Sequence, residues 1–173
     1  TPPSFRFCIK MIREVTHGPT PPGSLAAWDG PPPGHLLRRD TLAKARELLE
    51  AVEPLQGKLG AILLQFPPRF AADRIDELGT FLDRLSPAPP LAVEFRHGSW
   101  DSAATEHILR SRAACWVISD EAPRHVAAAG AAAPSARLAR ALPVTSDFLY
   151  IRWLGKHGQF PHRRREHFDP SSR

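Results

Sequence analysis

The sequence lacks the long apolar stretches that mark membrane and secreted proteins. No run of about 18 apolar residues is present, which excludes an ordinary membrane-spanning helix. The N-terminal segment TPPSFRFCIK has no basic region followed by an apolar one, so it does not resemble a secretory signal. The chain also begins without Met, so we expect it to be part of something longer. These absences predict a cytoplasmic protein with no membrane partner.

Several motifs that would name a chemistry are also absent. The two cysteines, Cys8 and Cys115, are far apart and form no CxxC pair, so we predict buried free thiols rather than a disulfide or a metal site. No GxGxxG or GxxxxGK[ST] follows an apolar run, which leaves the usual nucleotide-binding folds without support. Ser4, Ser99 and Ser119 lack the context of a nucleophile elbow, so acyl-enzyme chemistry is not indicated.

The composition is that of an ordinary globular protein with an excess of positive charge. A length of 173 residues is enough for one domain with its own core, and we predict a single domain over 1–173. The formal net charge is +5, and much of the excess lies in the segment HRRREH at 162–167. Such a segment is either a solvated surface or a patch that binds nucleic acid, and the sequence leaves both readings open.

Short apolar runs alternate with helical patterns along the chain. Helical periodicity predicts helices over 41–52 with Asp40 as cap, over 73–85, and over 101–112 with Asp101 or Ser102 as cap. A Pro-rich segment at 18–34 and an Ala-rich segment at 122–143 are predicted to be loops. Strands are predicted near 5–11, 59–66, 91–96, 115–120 and 148–154. This alternation predicts parallel strands, and since a (β/α)₈ TIM barrel needs about 250 residues, we expect a partial barrel.

In such a barrel, alternate residues of each strand point toward the helices or toward the interior. Over 91–96 the apolar Leu91, Val93 and Phe95 take the helix side, which leaves Ala92, Glu94 and Arg96 inside. The same parity places Phe5, Phe7 and Ile9 of the first strand, and Leu149, Ile151 and Trp153 of the last, toward helices. The inward polar residues then gather at the carboxyl-end mouth, where α/β barrels bind ligands: Lys10, Gln65, Glu94, Arg96, Asp120 and Arg152.

The residue types at this mouth fit an anionic ligand. Lys10, Arg96 and Arg152 could bind a phosphate or a carboxylate, with Gln65 beside them. Glu94 is a candidate general base if burial raises its pKa. The alternative is a network of salt bridges that closes the top of the barrel, and the two readings are compatible.

Other candidates follow the strand ends. Asp120 is a second candidate for the base, and His97 is a candidate for proton transfer. His17 is placed among the ligand-binding candidates, although either histidine could be a loop residue with one hydrogen bond. Trp100 could stack on a ligand, or serve only in packing. Glu94, His97 and Asp120 could hold a divalent metal, but no close spacing such as HxxxH supports one, so the cofactor stays unknown.

Four motifs resemble a known family in order and spacing. They are FRFCIK followed by TH at 16–17, KLGAILLQFPPRF at 58–70, VEFRHGSW at 93–100 and YIRWLG at 150–155. The chain resembles the YecE-like family, domain of unknown function 72, from Phe5 to Gly158. The resemblance implies a TIM barrel of unestablished activity. It also implies that the first two strands and the last strand of the family pattern are missing here.

Three functions remain open at this point. The first is a barrel that binds a small anionic or polyhydroxylated ligand at its mouth, with acid/base or metal-assisted chemistry. The second is a nucleic-acid-associated protein that uses the basic segment 162–167. The third is a barrel that binds a metabolite without turnover. The residues do not name a substrate, a metal or an oligomeric state, and they leave open whether the protein is an enzyme.

Overall fold

The computed structural model describes residues 1–19, 30–119 and 143–153. Four strands form one parallel sheet in the order β1-β2-β3-β4, and β5 and β6 form a second parallel pair. The strands are β1 Phe7–Lys10, β2 Leu59–Gln65, β3 Leu91–Glu94, β4 Cys115–Trp116, β5 Ile118–Ser119 and β6 Ile151–Arg152. The predicted positions and the parallel direction are confirmed, although every strand is shorter than predicted. No closed barrel is seen in the described part of the chain.

Helices connect the strands, as parallel pairing requires. The α-helices are α1 Arg13–Thr16, α2 Arg39–Val52, α3 Ile75–Leu85 and α4 Ala103–Arg110. Short 3₁₀ helices span His35–Leu37, Glu53–Lys58, Ala72–Arg74 and Gly98–Trp100. Of the two caps considered for α4, the structure selects Ser102, whose side chain accepts a hydrogen bond from the Thr105 amide. In the described residues no helix is long and apolar enough to cross a membrane.

The predicted cap of α2 is wrong. The N-cap is Arg38, and Asp40 lies inside the first turn. The Asp40 carboxylate binds the Arg38 guanidinium, with Nε 3.1 Å from Oδ1, instead of capping the helix. Both side chains are exposed, and a carboxylate in the first turn is favoured by the helix dipole.

The main sheet has two faces of different character, as the predicted parity requires. Toward the helices, Ile62, Leu64 and Val93 are buried in a large apolar core together with the stripes of α2 and α3. We call this side the helix face. The opposite side, which we call the open face, carries a smaller cluster with Phe148 and Tyr150 packed against it: Ala61, Leu63, Ala92, Cys115 and Val117. The small residues of β2 and β3 therefore lie opposite the helices.

Three predictions about burial near the sheet edges are wrong. Cys8 is a free thiol but exposed, because β1 is an edge strand of the described sheet, whereas Cys115 is free and buried as predicted. Phe5 precedes β1, is 44% exposed and packs edge-on against Phe7. The predicted helix-side residues around β6 are exposed as well: Leu149, Ile151 and Trp153.

Candidate functional site

The register of the strands brings polar residues to one end of the sheet. Gln65 and Glu94 are direct partners at the carboxyl ends of β2 and β3. Lys10 ends β1 and pairs with Leu63 of β2. Leu63 lies two residues before Gln65, so the side chains of Lys10 and Gln65 are on the same face of the sheet. Arg152 ends β6 opposite Ser119. The parallel direction of all these strands is what places their last polar side chains together.

A chain of contacts joins these residues across the strands. The Lys10 ammonium donates to Gln65 Oε1 at 2.6 Å, and Gln65 Nε2 donates to Glu94 Oε1 at 3.1 Å. Arg152 donates to the other carboxylate oxygen, Oε2. Arg96 Nε lies 2.8 Å from Oε1 as an ion pair, although it is not aligned as a hydrogen bond. We call these five residues the rim cluster: Lys10, Gln65, Glu94, Arg96 and Arg152.

The rim cluster is buried at its centre and positively charged overall. The Glu94 side chain is 1% exposed, whereas those of Arg96 and Arg152 are 14% and 22% exposed. Three cations surround one carboxylate, which gives the described cluster a formal charge of +2. Burial of a carboxylate is costly unless it is paired, and the two arginines supply that pairing. Among the described residues of the rim cluster, the cations therefore outnumber the carboxylates.

Lys10 is perturbed by this environment. Burial lowers the pKa of its ammonium, and the charge of Arg152 lowers it further. Glu94 acts in the opposite direction, but Arg13 and Arg96 add to the lowering. The pKa of Lys10 therefore lies below its ordinary value, first because of burial and then because the neighbouring arginines outweigh Glu94.

His17 lies in the same electrostatic environment. Burial lowers its pKa to about 4, and the nearby charges of Arg13, Lys10 and Arg96 contribute. Its Nδ1 is 2.8 Å from Thr16 Oγ1, directly after α1. His17 is therefore neutral at pH 7 and near the cations of the rim cluster. Sequence reasoning overlooked Arg13, although its position just past β1 was a usable signal.

The sequence parity places Tyr150 inward, beside Arg152, where its ring was a candidate, like that of Trp100, for stacking on a sugar or a base or for packing alone. Burial raises the pKa of its hydroxyl, with Cys8 as the next cause, and the charges of Arg152 and Glu94 also reach it. Tyr150 packs against the open face, two residues before Arg152. Tyr150 therefore connects the apolar cluster of the open face with the position of Arg152 in the rim cluster.

His97 and Trp100 are held by local structure instead. His97 Nδ1 accepts from the Ser99 amide at 3.2 Å and lies 2.8 Å from Ser99 Oγ, so it caps the 3₁₀ turn that follows β3. Trp100 is 1% exposed, stacks on Phe95 at 4.2 Å and donates from Nε1 to the Phe70 carbonyl at 2.6 Å. These contacts connect the loops after β2 and β3, and they give Trp100 a packing role away from the rim cluster.

A second buried ion pair anchors the segment that precedes α2. Arg74 binds Glu77 through two nitrogens, and its guanidinium also donates to the carbonyl oxygens of Pro31 and Pro32. Glu77 accepts from the Leu36 amide at 2.8 Å and from the Gly34 amide at 3.1 Å. This pair fixes residues 31–36 against α3.

The remaining sequence predictions fall outside the described residues. They include Asp120, the Ala-rich segment 122–143 except its last residue, and the basic segment 162–167. In the described part of the chain, no three of the residue types His, Cys, Asp and Glu cluster in a way that could hold a metal ion. A metal bound by Glu94, His97 and Asp120 therefore stays a prediction.

Comparison with known proteins gives a family match and two structural neighbours. The family model described as "Protein of unknown function DUF72" matches residues 1–171. The fold is similar to that of a DUF72 family protein from Thermotoga maritima, with 25% sequence identity, a TM-score of 0.59, and coverage of 91% of this chain and 52% of that one. The fold is also similar to that of a DUF72 family protein from Enterococcus faecalis, with 19% sequence identity and a TM-score of 0.53. That match covers 91% of this chain and 57% of the other. The chain thus spans about half the length of these proteins. No curated protein matches it.

Proposed function

The chain belongs to the DUF72 family of proteins of unknown function, and from this premise we propose that its rim cluster binds a small anionic ligand. The observation that carries the proposal is the formal charge of +2 on a half-buried cluster at the carboxyl ends of parallel strands. Ligands of α/β proteins bind at that end of the sheet. We further propose that the described strands are part of a TIM barrel whose mouth this cluster lines.

An anion fits the cluster better than a neutral polyol or a metal cation. Lys10 is exposed enough to reach a ligand, and the guanidinium groups of Arg96 and Arg152 can bind two oxygens of a phosphate or carboxylate at once. A polyol would leave the excess positive charge without compensation. A divalent cation would be repelled by it.

Glu94 contributes to this function by holding the arginines. Both of its oxygens are already occupied, one by Arg152 and the other by Gln65 and Arg96. Its side chain is also 1% exposed, which limits direct access of a ligand proton to the carboxylate. We therefore propose Glu94 as a positioning residue, and we leave general-base chemistry by Glu94, Asp120 or His97 as a separate prediction from sequence.

Sulfate is a suitable probe, because it stays fully ionised across the neutral pH range. The experiment follows the unfolding temperature and the urea midpoint while sulfate replaces chloride at constant ionic strength. A specific site stabilises the native state by RT ln(1 + [sulfate]/Kd), which is about 2.7 kcal/mol at 100 times Kd. We expect saturable stabilisation of the wild-type chain.

Matched lysine variants assign the site. Lys10→Gln removes a rim charge from an exposed side chain, and Lys44→Gln removes an equally exposed charge from α2. We expect Lys10→Gln to weaken sulfate binding at least several-fold and Lys44→Gln to bind like wild type. Equal responses of the two variants, or a wild-type response no larger than that to chloride, would overturn the proposal.

A further inference from the structure

Lys10 differs from an ordinary surface lysine in the partner that holds it. Its ammonium donates to the neutral amide oxygen of Gln65 at 2.6 Å. The orientation of that amide is fixed, because its nitrogen donates to Glu94 Oε1 at 3.1 Å. The Lys10 nitrogen is therefore positioned at the end of β1 by a group that does not neutralise its charge.

The charges around Lys10 favour its uncharged amine. Among the described residues, Arg152, Arg13 and Arg96 lower the pKa of Lys10, and Glu94, the carboxylate that opposes them, is bound by two arginines. Burial and Arg152 are the two largest causes of its lowered pKa. A lysine that is desolvated or close to other cations carries more free amine at neutral pH, and the free amine is the nucleophile.

We propose that Lys10 is a nucleophilic amine that forms an imine with a small aldehyde or ketone bearing a carboxylate or phosphate group. The inference rests on the proposed function, because the arginines of the rim cluster bind the anionic group and so bring the carbonyl carbon to the amine. The nitrogen lone pair attacks that carbon, a C–N bond forms, and the carbonyl oxygen leaves as water with the two amine hydrogens. The product is a C=N bond, and no oxidant or reductant is consumed.

Two other described lysines serve as internal standards. Lys44 is exposed on α2, a helix that contributes no residue to the rim cluster. The Lys58 ammonium binds the Thr1 carbonyl at 3.1 Å and the Thr1 hydroxyl at 2.7 Å. Preferential reaction at Lys10 therefore cannot be attributed to exposure alone.

The test is reductive trapping of the full chain with glyoxylate and cyanoborohydride. Cyanoborohydride reduces the imine to a stable secondary amine, which peptide mass spectrometry assigns to a lysine. We expect Lys10 to be modified roughly ten-fold faster than Lys44, because bound anion raises the local concentration of carbonyl. Sulfate should slow the reaction at Lys10 and not at Lys44. Acetaldehyde, which has no anionic group, should show much less preference for Lys10.

The Lys10→Arg variant separates this inference from the proposed function. It retains the positive charge but has no reactive amine, so it should still bind sulfate while losing the fast-labelled site. If sulfate stabilises the wild-type chain and Lys10 is labelled no faster than Lys44, the imine is overturned and anion binding stands. If Lys10 is labelled fast but neither sulfate nor the choice of aldehyde affects it, the anionic part of the proposal is overturned.

Discussion

The guanidinium of Arg152, at the end of β6, binds Oε2 of the buried Glu94 carboxylate at the end of β3. This contact joins the second strand pair to the main sheet, because β6 is paired only with β5 among the described strands. Glu94 has no exposed surface and also contacts Gln65 from β2. One carboxylate on β3 therefore holds polar side chains from two other strands, β2 and β6, at the same end of the molecule.

Replacing Glu94 by Gln tests the importance of that charge for the fold. The amide would leave two half-buried arginines without their counter-ion, so we expect the free energy of unfolding to fall by about 3 kcal/mol. Urea denaturation measures the loss, with Glu47→Gln on the exposed side of α2 as the control. A variant as stable as wild type would contradict the ion-pair account.

His17 makes stability depend on pH in a defined direction. Its pKa is lowered from 6.5 to about 4 in the folded chain, so below pH 6.5 the unfolded state binds a proton that the folded state does not. Stability should fall between pH 6.5 and 4 by up to about 3 kcal/mol and be unaffected by this group above pH 6.5. Urea midpoints across this range should fall less steeply for His17→Gln. Parallel curves for the two proteins would refute the assignment.

The hydrogen bond of the Trp100 indole nitrogen gives a further prediction of stability that does not depend on the rim cluster. Trp100→Phe keeps most of the aromatic stack but removes the donor to the Phe70 carbonyl, which is left buried without that partner. We expect a loss of about 2 kcal/mol in the free energy of unfolding. Trp153→Phe is the control, because Trp153 is 79% exposed and should change stability little. If the two variants were equally stable, the hydrogen bond would have no measurable role.

Glu77 should stabilise the fold mainly above its unfolded pKa. Burial raises the pKa of this carboxyl, but hydrogen bonds from Arg74 and from the Leu36 and Gly34 amides outweigh burial and lower it below its ordinary 4.5. We expect Glu77→Gln to lose about 2 kcal/mol at pH 7. The difference from wild type should shrink as pH falls below 4.5, because the unfolded chain then binds a proton at Glu77 and the folded chain follows only as the pH passes its lowered pKa. Denaturation at pH 7 and at low pH checks both parts, and a difference independent of pH would argue against the ionised form.

Regular patterns allowed much of this fold to be predicted. The period-two alternation in LAVEFR separates Val93, on the helix face, from Glu94, at the rim, and the same rule identified Gln65 and Arg152. The apolar stripes of α2 and α3 were equally readable, because a helix buries every third or fourth residue. These features depend on local sequence alone.

Other features depend on neighbours that a local pattern does not reveal. Cys8 was expected to be buried because its run is apolar, but burial also requires a neighbour on each side of the strand. Asp40 is a residue type that often caps helices, but here its carboxylate forms an ion pair with Arg38. The convergence of Arg13 and His17 on Lys10 likewise follows from how α1 turns after β1.

Gln65 separates Lys10 from Glu94 with a group that does not titrate. Its oxygen accepts from the Lys10 ammonium and its nitrogen donates to the Glu94 carboxylate, and the amide itself carries no charge. A glutamate of the same shape at this position would face Lys10 as a counter-ion and repel Glu94 across the strand pair. With an amide at position 65, the Lys10 amine at the end of β1 has no counter-ion there and can react. With an acid at that position, Lys10 would be held in an ion pair.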